Sequence, residues 1–365
     1  MKITDIIQYL ETVAPPVLQE GYDNAGLLTG NKNWECSGVL CTLDATEKVV
    51  EEAVAKGLNL IVAHHPIIFS GLKKITGNNY VERTIIAAIK NDIAIYAIHT
   101  NLDNVLHGVN GKIADKLGLV NRQVLAAKNN MLQKMVVFVP NHHSEKVKEA
   151  IFAAGGGNIG NYSECCFDVP GTGSFKASEG AQPYIGQIGH RHTGPETRVE
   201  VIFPAWLQQP IVQQVKMAHP YEEVAYDLYP LNNTLSFIGS GVIGQLLQPV
   251  TETAFLAFIK KQFGLHIIRH TPLLGKPVNR VAICGGAGSF LTKTAIAHGA
   301  DIFITADVKY HEFFDADAKI VIADIGHWES EQFTVELLFD VLISKFTTFA
   351  VQKSDVVTNP VSFFK

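Results

Sequence analysis

The feature that most constrains the fold is a short, almost wholly apolar run, Leu58–Ala63 (LNLIVA), that stops at His64-His65-Pro66. A run of this length without polar alternation reads as a strand buried on both faces, the condition of a parallel sheet covered by helices. Ligands of such sheets collect beyond the carboxyl ends of the strands, so two adjacent imidazoles stand where a site is expected. The pattern repeats twice. Ile93–Ile98 (IAIYAI) runs into His99 and, four positions on, Asp103, and KIVIA runs into Asp324-Ile325-Gly326-His327.

The neighbouring segments supply the helices. Val39–Leu43 is a further apolar run, and Glu47–Lys56 and Val81–Asn91 have helical spacing. The rhythm resumes with strands at Arg280–Cys284, Asp301–Thr305 and Lys319–Ala323, a helix at Phe290–His298 and a final helix from about Glu329 to Lys345. The expectation is an α/β main domain with mostly parallel or mixed sheets covered by helices. From about Asn129 to Leu231 the order reads strand (Met135–Pro140), helix (Glu145–Ala154), two strands (Tyr184–Gly189, Thr197–Phe203), helix (Ala205–Met217), strand (Val224–Leu228). That is a ferredoxin-like α+β arrangement. The predicted organisation is therefore residues 1–128 and 233–365 as two halves of one domain, with 129–232 inserted.

Composition narrows the chemistry. Fourteen histidines accompany only five cysteines, and no two cysteines form a CxxC pair, so neither a disulfide framework nor a thiolate zinc site is supported. A formal net charge of −5 argues against a general nucleic-acid binder. The first residues, MKITDIIQYLET, carry Asp5 and Glu11 where a signal peptide needs an unbroken apolar stretch, and no run approaches the ~20 residues of a membrane helix. A soluble, cytoplasmic protein with no membrane partner is expected.

Three strand ends deliver His64, His65, Asp103, His327 and Glu331 to one sheet edge. If a helix begins near Gly326, His327 and Glu331 stand at i and i+4 on one face, while Glu329 points elsewhere. One histidine is usually structural; five nitrogen and oxygen donors at strand ends are not easily explained by packing. They exceed the needs of a single tetrahedral zinc site and suit two divalent ions sharing a carboxylate. Zinc is the expected metal, and manganese, iron, cobalt and nickel are compatible with the donors. Two such ions offset by two carboxylates leave net positive charge, which favours an anionic substrate or a polarised carbonyl.

The motifs HHPIIFSGLKKIT, IHTNLD with GVNGKIAD, TADVKYHE and DIGHWESE, together with YDNAGLL, CGGAGS and the C-terminal VVTNPV, resemble the NIF-three-like dinuclear-metal family, the GTP cyclohydrolase type I type-two homologues. They occur in the family's order across both halves of the chain. The resemblance implies two metals held by His64, His65, Asp103, His327 and Glu331, and a toroidal homohexamer built as a trimer of dimers. It also implies that the inserted segment, through HPYEEVAYDLYPL (His219–Leu231), is similar to PII and CutA domains.

Other residues are weaker candidates. TADVKYHE follows the strand Asp301–Thr305, so Lys309 could bind a substrate phosphate and His311 could transfer a proton, with Thr305 and Asp307 on the same edge. His99 could orient Asp103 or act as a base. Lys73 and Lys74 read better as solvated loop residues than as an anion site. Gly239-Ser-Gly241-Val-Ile-Gly244 matches GxGxxG by letter only and reads as strand glycines. CGGAGS (Cys284–Ser289), between a strand and a helix, is either a tight turn or an anion site built from helix N-terminal amides.

Three functional readings follow. The first is a metal-dependent hydrolase acting on a nucleotide or another anionic small molecule; the resemblance suggests opening of the guanine imidazole ring of GTP. The second is a non-catalytic, metal- or metabolite-sensing hexamer with the inserted domain as a regulatory cap. The third, a ring encircling nucleic acid, has only the family's shape in its favour, and the net charge weighs against it.

Overall fold

The structure is a computed structural model that describes residues 1–364; Lys365, the last residue of the expected 233–365 segment, lies outside the described residues. The chain divides into two compact units, one formed by Met1–Ala127 with Ser236–Lys365 and the other by Lys128–Leu235.

The first unit contains two sheets. In one, the order is Gly26–Thr29, Ala94–Ala97, Leu60–His65, Val39–Asp44, Val351–Lys353, and all neighbours are parallel except the antiparallel edge strand Gly26–Thr29. Leu60, Ile61, Val62 and Ala63 have no solvent exposure, which is why this strand carries no polar alternation. Each fully buried Leu, Ile or Val side chain of this kind contributes ~1.5–3 kcal/mol. The strand runs two residues beyond its apolar run, because the backbone stays paired through Asp44 and His65. The two histidines are thus the last two residues of the strand, and at its end their ring centroids lie 4.9 Å apart.

The second sheet has the order Arg269–His270, Val321–Asp324, Ile302–Ala306, Pro277–Ala287, Gly239–Thr251, Val120–Ala127. Its three strands Pro277–Ala287, Ile302–Ala306 and Val321–Asp324 are parallel, and the remaining pairings are antiparallel. GSGVIG lies inside the long strand Gly239–Thr251, where glycines serve the sheet and the strand continues to Thr251 before the helix Glu252–Gln262 begins. The expected final helix is two helices, His327–Glu331 and Thr334–Lys345. At the break, the Gln332 side-chain amide donates to the carbonyls of Glu329 and Phe263, a local side-chain bond of the kind that competes with a helix ladder.

The second unit runs Leu132–Pro140, helix Ser144–Ala153, Phe167–Lys176, Arg191–Pro204, helix Gln208–Ala218, Tyr226–Leu231. Its strands form an antiparallel sheet in the order Phe167–Lys176, Arg191–Pro204, Leu132–Pro140, Tyr226–Leu231. The β-α-β-β-α-β connection is present, with one strand misplaced in the sequence reading. Tyr184–Gly189 is a loop, and the strand is the VPGTGSF segment, paired from Phe167 with Glu200 through to Lys176 with Arg191. Its proline and glycines mask the alternation. One of them has a packing reason: a Cβ at Gly173 would lie 2.1 Å from the Glu196 carboxylate.

Candidate metal centre

The carboxyl ends of the two sheets of the first unit meet around one group of side chains. His64 and His65 end Leu60–His65, and His99 and Asp103 follow Ala94–Ala97, the latter at the end of the short helix Thr100–Asp103. His327 and Glu331 come from the second sheet, on the one-turn helix that follows Val321–Asp324. Their i, i+4 spacing brings His327 Nε2 to 3.2 Å from Glu331 Oε2. Glu329 faces away and accepts a hydrogen bond from the Asn359 side chain at 3.0 Å.

Two sets of donors share one carboxylate. His65, His327 and Glu331 form the first, with His65 Nε2 3.0 Å from Glu331 Oε2 and 3.4 Å from His327 Nε2. His64, Asp103 and Glu331 form the second, with His64 Nε2 3.6 Å from Asp103 Oδ1 and 3.9 Å from Glu331 Oε2. His99 completes a third set with His64 and His65. All five residues expected as ligands are therefore in one place, joined by His99.

The donors fit a cation on two counts. His64 Nε2 and Asp103 Oδ1 are buried atoms without a hydrogen-bond partner, a costly state for polar atoms that coordination would relieve. Two carboxyl groups, Asp103 and Glu331, also crowd the same site. Burial and the charge of Glu331 hold the Asp103 carboxyl well above its ordinary value. Glu331 is held well below its own: burial opposes this, but contacts with His327 and His65 outweigh it.

Each imidazole is aimed from behind. His64 Nδ1 donates to the Ile98 carbonyl at 2.9 Å, so its proton sits on Nδ1 and Nε2 is free to coordinate. His65 Nδ1 is 2.8 Å from Asp44, His327 Nδ1 2.7 Å from Asp307, and His99 Nδ1 2.8 Å from Asp23. Burial disfavours the cationic form of His64, His65 and His327. It prevails at fully buried His64, whose pKa falls to about 3, but the adjoining carboxylates outweigh it at His65 (about 10) and His327 (about 9). Asp23 is pressed down to about 2, with burial opposed by hydrogen bonds from His99 and Thr100.

Asp23, Asp44 and Thr358 were missed as site residues in the sequence. Asp44 gave the same signal as the ligands, a polar residue closing an apolar strand. Asp23 and Thr358 lie in YDNAGLL and VVTNPV; Thr358 Oγ1 donates to Asp44 and accepts from Trp328 Nε1 at 3.3 Å. CGGAGS is not an open anion site. The amides of Gly285, Gly286 and Gly288 donate to the side chains of Asn110, Ser330 and Thr305. Gly286 instead lets the strand pass close to the ligand, since a Cβ there would lie 2.4 Å from Glu331 Oε1. Lys309 and His311 are exposed on the turn Tyr310–Ala316 and its cap, where the His311 ring packs beside Tyr310 and Phe314. Neither lines the cleft of about 750 Å³ that opens on His65, His99, Asp103, His327 and Glu331.

The family described as Duf34/NIF3 (NGG1p interacting factor 3) matches residues 1–360. The chain belongs to the Duf34/NIF3 family. The resemblance read from the motifs is thereby borne out. Two NIF3-family relatives carry the name GTP cyclohydrolase 1 type 2 homolog: one from Halalkalibacterium halodurans, 41% identical with 100% of both chains covered, and one from Bacillus subtilis, 36% identical with 98% and 97% covered. The solved structure of a Bacillus cereus protein related to NIF3 is 39% identical and superposes with a TM-score of 0.87 over 100% of this chain and 99% of that one. The α/β architecture is thus that of a NIF3-type protein. Among the described residues no helix is long and apolar enough to cross a membrane.

Proposed function

We propose that this NIF3-family chain is a metal-dependent hydrolase with two divalent ions, zinc foremost, held by His64, His65, Asp103, His327 and Glu331. The observation that carries the reading is the shared carboxylate: Glu331 belongs to both the His65–His327 set and the His64–Asp103 set. Bound there, divalent ions would acidify water and polarise the oxygen of an electrophile. The protein's own part is orientation and proton transfer. Asp44, Asp307 and the Ile98 carbonyl fix three imidazoles, and His99, held by Asp23 at the cleft wall, is placed to accept and return a proton. Lys309 and His311, the residues expected to bind an anion and transfer a proton, stand outside the cleft lining, and His99 takes the proton-transfer role.

The substrate in this reading is a nucleotide or another anionic small molecule, drawn by the charge of the ions; the names of the relatives support GTP as the first compound to try. The motif resemblance also supports a homohexamer of three dimers and a PII- or CutA-like character for residues 129–232. Elemental analysis with anomalous scattering tests the centre, and turnover of GTP and a panel of phosphoesters by verified metal-loaded protein tests the reaction. Two ions per chain and a released product are expected. Fully loaded protein that leaves every compound intact would overturn the hydrolase reading.

A further inference from the structure

The cleft over the metal donors has an unusual wall. Four aromatic side chains line it, Tyr22, Phe69, Tyr80 and Phe290, and all four are largely solvent-exposed, at 74%, 55%, 60% and 68%. Exposed aromatics scattered over a surface mean little. These four line a single concave site that also contains the imidazoles of His65, His99 and His327, and Phe69 stands edge-on to His99 with ring centroids 5.7 Å apart. The charge of the lining is equally specific. Its carboxylates are Glu20, Asp44, Asp103 and Glu331, and among the described residues no lysine or arginine lines it. Lys73 and Lys74, on the loop beyond the two histidines, are exposed and also outside the lining.

A nucleoside triphosphate or other polyanion is ordinarily gripped by Arg, Lys or a ring of backbone amides. Here the nearby amides of CGGAGS are already committed to side chains, and with Asp103 and Glu331 offset by the metals, Glu20 and Asp44 remain to repel an anionic group that does not itself meet a metal. Aromatic faces, by contrast, hold planar heterocycles by stacking, with little regard to charge. Resting on the metal centre proposed above, we infer that the cleft takes a planar heteroaromatic compound, of nucleobase or nucleoside type, bearing at most one anionic group, which meets the metals. The aromatic wall gives the affinity and the metal centre gives the orientation. A polyphosphate chain has no counterpart on the wall.

The test is a calorimetric series on the full-length metal-loaded chain, with metal content verified by elemental analysis. The probes are guanosine, GMP, GTP, ribose 5-phosphate and inorganic tripolyphosphate, against wild type, Phe69→Ala and Phe290→Ala. Guanosine and GMP should bind at least as tightly as GTP, with ribose 5-phosphate and tripolyphosphate about tenfold or more weaker. Each Phe→Ala change should weaken guanosine about tenfold at unchanged metal content. GTP binding tenfold tighter than guanosine, with tripolyphosphate competing, would overturn the inference. So would aromatic variants that change only the oligomeric state by light scattering, or a fully metal-loaded protein that binds no aromatic probe. Stacked binding without turnover would sink the hydrolase reading and leave this one standing.

Discussion

Asp307 Oδ2 lies 2.7 Å from Nδ1 of His327, and that contact decides which face of the imidazole is turned to Glu331. Asp44 does the same for His65 from the other sheet. Carboxylates behind ligand imidazoles fix the tautomer and raise ligand basicity, and their loss costs ~10–100-fold in metal affinity. Asp307→Asn and Asp44→Asn should therefore each weaken metal binding by about that factor, measured by competition with a chromophoric chelator. Asp315→Asn, on the same turn as His311 but outside the cleft lining, should leave the affinity unchanged.

Glu331 and Glu329 are two residues apart and serve opposite surroundings. Glu331 joins both donor sets, whereas Glu329 bonds Asn359. Glu331→Gln should lose roughly half or more of the bound metal by elemental analysis, because a carboxamide bridges two cations poorly. Glu329→Gln should retain its full content. Equal loss in both variants would mean that the helical-face argument fails.

Much of this centre was legible because each ligand ends or follows an apolar strand, and a run such as LNLIVA is conspicuous. The i, i+4 relation of His327 and Glu331 needed only a helix start, which Gly326 marks with its φ of 90°. The residues behind the ligands were less legible. Asp23 is 76 positions from His99, and nothing local to either residue announces the pair. In the second unit the strand Phe167–Lys176 was hidden because proline and glycine are poor strand formers; its ladder with Arg191–Pro204 overrides that preference.

Removing the metal should lower stability. Ions that bind only the folded chain add about 2.7 kcal/mol at a concentration a hundredfold above Kd. For a unit of this size the gain is worth ~5 °C in Tm. Withdrawal should also leave Asp103 and Glu331 side by side without a cation, which favours the neutral acid at Asp103. Differential scanning fluorimetry with and without chelator should show the shift, and Glu331→Gln should show little of it.

His219, in the second unit, is buried, accepts a hydrogen bond at Nδ1 from the Tyr221 amide and donates from Nε2 to the Phe138 carbonyl. Burial lowers its pKa below the ordinary 6.5. The sign follows from proton counting. Above pH 6.5 the ring is neutral both folded and unfolded and contributes no pH dependence. Below it the unfolded chain binds a proton that the folded ring resists, so the fold loses stability until the folded pKa is passed. Amides of Leu132–Pro140 should therefore exchange through openings that become easier as the pH falls below about 6.5, after correction for the intrinsic rate. His219→Gln should flatten that slope while lowering protection at neutral pH, because glutamine does not titrate but cannot reproduce both ring contacts. An unchanged slope in the variant would remove His219 as its source.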